Sequence, residues 1–275
     1  MRKKVEVAAA AKPPKPERPA ARAHPRDHVG GLEKGLRVLA AFDGAHTRLT
    51  ISDAARLTDV SPASARRSLL TLWKADYLDS DGKRFWMKPK VLMLAAGYSS
   101  SRALPRLVQP LLDSLSERTR ESASAAQLYG DQVIIVARST ARRSLTVGLG
   151  PGSRLPVWCS ATGRMLLASL SDAEALRLIQ QARPRALTPL TVTAPREVLE
   201  RVRLARRRGY SLSNEEIELG VRSLAVPLYD RSGQVAAALN LSVRAERMAA
   251  DAFVAEFLPV LQRAQRRMEQ VLPEI

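Results

Sequence analysis

The sequence predicts an α+β protein, in which an N-terminal winged helix-turn-helix is joined by linker helices to a mixed α/β domain. Three features lead to this fold class. Two capped helices flank a short turn, a hairpin with an Asp-Gly turn follows them, and strand and helix patterns alternate after Glu121. We therefore place the winged helix-turn-helix at 28–88, the linker helices at 89–119 and the α/β domain at 120–275.

The two helices of the helix-turn-helix have well-defined beginnings. Thr50 and Asp53 are spaced as a capping box, which opens a short helix. Its inner face carries Ile51, Ala54 and Leu57. After the turn 58–60, the next helix begins with Ser61-Pro62, an N-cap serine and a proline whose missing N–H costs nothing in the first turn.

This second helix has an apolar face and a small, basic face. The apolar face, which we expect to lie in the core, carries Ala65, Leu69, Leu72 and Trp73. The opposite face carries Ala63, Ser64, Arg67, Thr71 and Lys74, with Arg66 on its flank. The hairpin that follows, 77–86, turns at 80–83 and places Lys83 and Arg84 near its tip, in the position of a wing.

Small residues and arginines at the outward positions of such a helix suit base edges and phosphates. We therefore predict that this domain binds double-stranded DNA at an operator. The predicted DNA-binding residues are Thr50, Ser61, Ala63, Ser64, Arg66, Arg67, Thr71, Lys74, Lys83 and Arg84. The alternative is an interaction module whose charged face is only solvated.

Composition limits the class of protein. The 275 residues, of which 45% are hydrophobic, favour two domains of modest size. The net charge of +17 favours anionic partners, but it is spread along the chain, so by itself it is weak evidence for DNA binding. Residues 1–27 are rich in Ala, Pro, Lys and Arg without periodicity, and we expect them to form a flexible basic arm.

The sequence carries no sign of a disulfide, a metal centre or a membrane span. Its one cysteine, Cys159, excludes an intramolecular disulfide and fits a cytoplasmic protein. We find no metal-ligand spacing, so we predict no metal site and no cofactor. No apolar run reaches the roughly 18 residues that a membrane helix needs, so we expect no membrane partner.

Helix patterns flank the helix-turn-helix on both sides. A first helix is marked by Leu32, Leu36, Leu39 and Phe42. Two apolar linker helices are expected from Pro89 to Tyr98 and from Leu104 onward. Because apolar helices outside an obvious core often pair with a second copy, we infer dimerisation, with packing between the domains as the alternative.

The α/β domain is expected to contain the following elements. Strands are predicted at 123–129, 132–137 and 144–149, an extended segment at 210–214, and a hairpin at 224–228 and 234–243. Helices are predicted from Ser160 to Leu170 and at 172–181, 196–208 and 248–271.

Two features of this domain indicate a small-molecule pocket. The amides of Ser160, Ala161, Thr162 and Gly163 lie at a helix start, where free N–H groups attract anions, and Gly163 leaves room for a ligand. Asn240 and Ser242 alternate with apolar residues on the last strand, so both point to one face. The alternative is that Ser160 only caps a helix while Asn240 and Ser242 face water.

Catalysis is not expected. Cys159 and Ser160 are possible nucleophiles, but no histidine follows His46 and no lysine follows Lys90, so neither has a base nearby in sequence. The acidic cluster 215–218 has no metal partner and no phosphate-binding loop.

From Val29 to Leu272 the chain resembles the IclR family of bacterial transcription regulators. The segments that carry the resemblance are 31–36, 61–78, 152–156, 160–164, 214–216 with Gly220, and 225–227. The resemblance implies a winged helix-turn-helix joined by linker helices to a GAF-like effector-binding domain. It also implies a homodimer or a dimer of dimers.

The resemblance further implies an effector pocket. In relatives the amides that correspond to Ala161, Thr162 and Gly163 hold an effector carboxylate, and the other pocket positions correspond to Val221, Ser223, Asn240 and Ser242. Ser213 stands where some relatives have an acid. The run Arg142-Arg143-Ser144 resembles the branch that regulates aromatic-acid catabolism.

The sequence therefore predicts a cytoplasmic transcription regulator that is not an enzyme and whose operator binding responds to a small carboxylate. An effector-free architectural DNA-binding protein is the first alternative. An enzyme fused to a DNA-binding domain is the second.

Overall fold

A computed structural model describes residues 28–140 and 149–274, and they form two compact units that divide between Lys90 and Val91. The basic arm, the segment Arg142-Arg143-Ser144 and all but the last residue of the strand expected at 144–149 lie outside the described residues. The first unit contains, in order, α1 (Gly30–Ala40), α2 (Ile51–Thr58), α3 (Pro62–Lys74), β1 (Leu78–Ser80) and β2 (Phe85–Met87).

Local hydrogen bonds fix the turn of the helix-turn-helix as predicted. The Thr50 hydroxyl accepts the Asp53 amide at 3.2 Å, and the Asp53 carboxylate accepts the Thr50 amide at 3.1 Å, which completes the capping box. Asp59 ends α2 in the left-handed region, at φ 51°. The Ser61 hydroxyl then accepts the Ser64 amide at 3.3 Å and begins α3.

Three apolar residues that marked predicted helices of the first unit are exposed. Leu32 is 62% exposed and Leu36 is 55% exposed, because α1 turns Val38 and not these leucines into the core. Trp73 is 50% exposed, and in the last turn of α3 only Leu72, also predicted for this face, packs against the core. The fully buried centre of α3 is formed by Ala65 and Leu69, as expected.

The second unit is one sheet with helices on both faces. Its helices are α4 (Val91–Ser101), α5 (Ala103–Thr119), α6 (Ala161–Leu167), α7 (Asp172–Gln181), α8 (Pro195–Arg208) and α9 (Ala250–Glu269). Its strands are β3 (Ser122–Tyr129), β4 (Gln132–Ser139), β5 (Arg154–Pro156), β6 (Ser211–Asn214), β7 (Val221–Tyr229) and β8 (Val235–Arg244). The antiparallel strand order is β5-β4-β3-β8-β7-β6, so the predicted α+β fold class is confirmed.

The two linker helices differ from each other in burial. On α5, Leu104, Val108, Leu112 and Leu115 are buried in the same core cluster as residues of the sheet and of α9, so this helix is part of the second unit's core. On α4, which begins at Val91 and not at Pro89, no residue is buried. Two helix ends also differ from expectation, because α6 ends at Leu167 and α9 ends at Glu269.

The sheet has one apolar face and one face that carries polar groups. Alanines, leucines and valines of β3, β7 and β8 pack against α5 and α9 on the apolar face. On the other face the antiparallel register aligns Arg138 of β4 with Ser124 of β3, and Ser124 with Asn240 of β8. The next row aligns Ser242 with Ser223 of β7. Residues directly opposite one another share a face, so these side chains form one polar stripe.

A buried ion pair fixes α6 relative to the β6–β7 connection. The Arg164 guanidinium makes two parallel hydrogen bonds to the Glu216 carboxylate, at 2.6 and 2.5 Å, and its Nε donates to the Trp158 carbonyl at 2.8 Å. Both residues are buried. Separation of a buried pair of this geometry is unfavourable, because each charge alone would be costly to keep out of water.

The structure contains no helix, within 28–140 and 149–274, that is both long enough and apolar enough to cross a membrane.

We predict that Glu216→Gln destabilises the fold by about 3–5 kcal/mol, because it leaves the buried Arg164 guanidinium without its counterion. The free energy of unfolding in urea measures the loss. Glu200→Gln is the matched control, since it removes a carboxylate that pairs with Arg203 on the exposed surface of α8, and we expect it to change stability little. Equal losses in the two variants would contradict the role of the buried pair.

Candidate functional site

The first unit presents a basic surface on α3 and on the β1–β2 hairpin. Ala63, Arg66, Arg67, Thr71 and Lys74 are exposed on α3, as are Lys83 and Arg84 at the hairpin turn. The Asp81 carboxylate accepts the amides of both wing residues, at 2.9 and 2.7 Å, and this bonding holds the turn in one conformation. The outward helix face and the wing tip therefore offer cations and small side chains together, in the pattern that DNA requires.

Two predicted DNA-binding residues are used inside the unit. Ser64 is 8% exposed, and its hydroxyl accepts from Arg67 at 3.3 Å and from the Ser61 hydroxyl at 3.1 Å, so it does not belong to the outward face. The Thr50 hydroxyl donates to Asp53 at 2.7 Å and serves the helix cap. Helical spacing placed Ser64 on the outward face. Spacing does not show the hydrogen bonds that hold its side chain against Ser61 and Arg67.

One exposed cation beside the wing was missed by the sequence analysis. The Arg48 guanidinium lies over the ring of Trp86, 4.3 Å from its centroid. Leu49, the next residue, forms an isolated antiparallel β-bridge with Phe85 of β2, and this pairing places Arg48 beside the hairpin. The only signal in the sequence is its position directly before the Leu49-Thr50 segment.

The second unit contains a cavity between the polar stripe of the sheet, the start of α6 and the β6–β7 connection. Its polar lining comprises Ser124, Arg138, Ser160, Thr162, Glu218, Ser223, Asn240 and Ser242. Its apolar lining comprises Ile135, Leu149, Leu155, Ala161, Ile217 and Val221. The structure therefore brings together all but one of the predicted effector-binding residues, and it adds Arg138, Ser124 and Glu218.

Two polar groups of this cavity have no hydrogen-bond partner among the described residues. Thr162 is 2% exposed, and its hydroxyl is unpaired. The Nη2 of Arg138 is buried and unpaired, while its Nε donates to Thr140 at 3.3 Å. Burial lowers the pKa of the Arg138 guanidinium, which nevertheless stays charged at neutral pH. An unpaired buried donor is costly, so these two groups mark the cavity as a candidate ligand site.

Arg138 could have been noticed in the sequence as the one cation in the otherwise apolar run of β4. Its importance depends on the register that aligns it with Ser124, and the sequence does not show this register.

Asn240 is at the centre of the polar stripe and is fully hydrogen-bonded within the protein. We assign its amide with the Nδ2 toward the sheet backbone, because in this orientation the Nδ2 donates to the carbonyls of Leu224 at 3.1 Å and Leu241 at 3.2 Å. Its Oδ1 then accepts from the hydroxyls of Ser242 at 3.0 Å and Ser124 at 3.3 Å. This uses both donors and both lone pairs of the amide. Asn240 therefore positions the two serines.

Gly163 does not lie at the cavity, contrary to expectation. Its amide donates to the Ser160 hydroxyl at 2.9 Å, so this N–H is not free for a carboxylate. A Cβ at this position would lie 2.5 Å from the Ser160 Oγ and 2.6 Å from the Val157 carbonyl oxygen. The glycine is thus required for close packing of α6 on the preceding turn, and the space predicted for a ligand is filled by protein.

The two possible nucleophiles are engaged in packing and capping. Cys159 is fully buried, and burial raises the pKa of its thiol to about 12, which keeps it protonated and weakly nucleophilic. The Ser160 hydroxyl donates to the Pro156 carbonyl at 2.5 Å while it caps α6. Ser213 donates to the Cys159 carbonyl at 2.6 Å and so braces the same turn.

Within the described part of the chain, no three His, Cys, Asp or Glu side chains are grouped so that they could hold a metal ion.

Two family models together match most of the chain. Residues 31–82 match the IclR helix-turn-helix domain, and residues 96–270 match the C-terminal domain of the bacterial transcriptional regulator IclR. The chain is also 39% identical over 241 residues to the Pca regulon regulatory protein of Pseudomonas putida. That alignment covers 87% of this chain and 83% of the relative.

Two solved structures with bound aromatic acids are similar to the chain. One is the inducer-binding domain of a double mutant of the PobR transcription factor from Acinetobacter, in complex with 3-hydroxybenzoic acid. It is 31% identical with a TM-score of 0.57, covering 61% of this chain and 98% of that chain. The other is an IclR homologue from Microbacterium hydrocarbonoxydans complexed with 4-hydroxybenzoate. It is 26% identical with a TM-score of 0.70, covering 87% of this chain and 98% of that chain.

We predict that Gly163→Ala lowers the melting temperature and reduces the free energy of unfolding by about 1–3 kcal/mol, because the added methyl group overlaps backbone atoms that cannot move freely. Gly97→Ala on α4 is the control. No atom lies within 4 Å of the Cβ it would add, and an alanine within a helix is favoured over glycine by about 0.5–1 kcal/mol. If Gly163→Ala melts at the wild-type temperature, the inference that α6 packs too tightly at this position for a methyl group is contradicted.

Proposed function

Since the chain belongs to the IclR family of bacterial transcriptional regulators, we propose that its operator binding is controlled by a small aromatic carboxylate held in the cavity of the second unit. The observation that carries this proposal is the pair of unpaired polar groups, the Arg138 Nη2 and the Thr162 hydroxyl, in one partly apolar cavity. A carboxylate could accept from both groups. Charge-assisted hydrogen bonds of this kind are roughly twice as strong as neutral ones.

The aromatic part of the proposal has two supports. The apolar walls of the cavity, among them Ile135, Leu155 and Ile217, suit the faces of a ring. The two structural relatives with bound hydroxybenzoates make aromatic acids the first class to test. The first-turn amides of Ala161 and Thr162 have no partner within α6, so they can assist Arg138 in binding the carboxylate.

For DNA, we propose that α3 enters the major groove with Ala63, Arg66, Arg67, Thr71 and Lys74 outward. The wing residues Lys83 and Arg84, with Arg48 beside them, would contact phosphates. Ser61, exposed at the beginning of α3, would lie beside a phosphate bound at the helix N-terminus.

We propose that the protein acts as a homodimer or a dimer of dimers in the cytoplasm. α4 leaves Leu92, Met93, Leu94 and Tyr98 exposed, and a second copy would cover part of this apolar surface. Two copies would also provide two recognition helices for two half-sites.

We predict that Arg67→Ala weakens operator binding by about 1–3 kcal/mol and relaxes base preference, because Arg67 is central on the outward face of α3. Lys83→Ala should weaken operator and unrelated duplexes alike, since a phosphate contact carries no sequence information. Fluorescence anisotropy with both duplexes at fixed salt measures the two effects. Operator binding by Arg67→Ala at the wild-type affinity would contradict the assignment of α3.

We predict that Arg138→Gln weakens binding of 4-hydroxybenzoate about 10- to 100-fold, since a hydrogen bond to a charged group contributes about 1.5–3 kcal/mol. Isothermal titration calorimetry on the full chain measures it. Arg154→Gln on β5 removes an exposed arginine outside the cavity lining, and it should bind the acid like the wild type. If both variants bind equally well, the carboxylate is held elsewhere, and if no aromatic acid binds the wild type, the effector-free architectural role is favoured.

A further inference from the structure

We propose that the open edge of the sheet at β6 binds an extended, acidic segment of a partner protein, in a groove between α8 and α9. This site is separate from the cavity proposed for the effector. The segment would add a further strand beside β6, with its carboxylates toward α8 and its apolar side chains toward α9.

The backbone of β6 has free hydrogen-bonding groups, because β6 is the last strand of the sheet and pairs only with β7. The Glu215 amide donates to the Val221 carbonyl at 2.9 Å, and these two residues continue the β6–β7 register by one position. Opposite residues in an antiparallel ladder alternate between bonded and unbonded pairs, so Leu212 and Asn214 direct their amides and carbonyls away from β7. No hydrogen bond to these groups occurs within the described part of the chain. They are therefore available to an additional strand.

A groove of about 420 Å³ lies beside this edge, with a helix on each side. The α8 wall contributes Arg201, Leu204 and Arg208, and the α9 wall contributes Asp251, Val254 and Ala255. The buried Arg164–Glu216 pair closes one part of the lining, and its charges already satisfy each other. The edge is thus open to an extended chain that enters between the two helices.

The α8 wall is basic and has free charge. Arg203 and Arg206 of the same helix both pair with Asp172 of α7. Arg201 and Arg208 are exposed, and neither forms an ion pair with any residue that the structure describes. The two unpaired guanidinium groups therefore attract carboxylates to this side of the groove.

The two sides of the groove select different side chains, since residues of an added strand point alternately to its two faces. The Ser213 hydroxyl bonds the Cys159 carbonyl on the side of α6 and α8, whereas Leu212 packs against the core cluster that contains α9. Alternate residues of the segment would thus face the arginines of α8, and the others would face Leu212 and Val254. Asp251, at the beginning of α9, repels a carboxylate on that second side. The groove fits a segment in which acidic and apolar residues alternate.

A second copy of this chain does not suit the same edge. Antiparallel pairing of two β6 edges requires a twofold axis perpendicular to the sheet, which places both α8 helices on one side. Arg201 and Arg208 would then face the same arginines of the other copy, and like charges repel. Charged side chains beside an edge strand are a common protection against such self-pairing. The same charges favour an acidic partner.

The test uses the peptide acetyl-Glu-Val-Glu-Val-Glu-amide, titrated into the full chain by isothermal titration calorimetry at fixed salt. We expect this peptide to bind and acetyl-Lys-Val-Lys-Val-Lys-amide not to bind. Failure of the acidic peptide to bind, or equal binding of the two peptides, would overturn the inference.

Two N-methylated forms of the acidic peptide test whether it adds as a strand. Antiparallel addition continues the order of the sheet and places the valines opposite Leu212 and Asn214, with the valine amides toward β6. Methylation of the valine amides should therefore abolish binding, and methylation of the glutamate amides should leave it unchanged. Because the two forms have the same charge and composition, equal binding of both would rule out pairing with the edge.

Paired variants of α8 test the basic wall. Arg201→Gln combined with Arg208→Gln should weaken binding of the acidic peptide about 5- to 30-fold, the combined effect of two solvent-exposed ion pairs. Arg196→Gln combined with Arg207→Gln is the matched control, since it removes the same charge from exposed positions of α8 outside the groove. Equal weakening in the two double variants would show a general attraction of charge and contradict the site. A change of oligomeric state in the first double variant, measured by light scattering, would identify a second copy as the occupant and would also overturn the proposal.

Discussion

The buried pair of Arg164 and Glu216 is the interaction on which the second unit depends. It joins α6 to the β6–β7 connection, and both of these segments form walls of the cavity. Thr191 donates to the Glu216 carbonyl at 2.6 Å, and Arg164 also donates to the Trp158 carbonyl, so the pair organises four segments of backbone. Two charges held out of water tolerate little displacement, since a loosened pair leaves each charge both unsolvated and unpaired. The position of the cavity walls therefore depends on this ion pair as well as on the apolar packing of α6.

The sheet tolerates a polar stripe because the side chains of Asn240 and the neighbouring serines are short and hydrogen-bond to one another. Asn240 bonds two serines and two backbone carbonyls, so most of the stripe is already hydrogen-bonded without a ligand. The opposite face is packed with alanines and aliphatic residues under α5 and α9, and it supplies the burial that stabilises the sheet. The free groups, Arg138 and Thr162, are at the edge of this network. A network that is complete except at its edge provides a ligand site with defined directions for hydrogen bonds.

The helix-turn-helix unit was predictable because its signals are local. Capping boxes, an N-cap serine before proline and an Asp-Gly turn act within four residues, and the structure contains each of them. The errors arose where the local pattern left several helix faces apolar. Leu32, Leu36 and Trp73 satisfied helical spacing, but packing against the other helices buried Val38 and left these three exposed. Ser64 illustrates the same limit, since its burial depends on side-chain bonds to Ser61 and Arg67.

The sequence by itself determined the fold class, the order of most elements, the family and most residues of the cavity lining, because these follow from short-range periodicity and from motifs that are continuous in the chain. The tertiary structure decided the chemistry of the cavity. Ser124 and Asn240 are 116 residues apart, and only the β3–β8 register places them side by side, as only the β3–β4 register adds Arg138. The tertiary structure also excludes Gly163 from the cavity lining, since the Val157 backbone fills the space beside Gly163. A strand's register depends on its partners, which the sequence pattern of one strand does not specify.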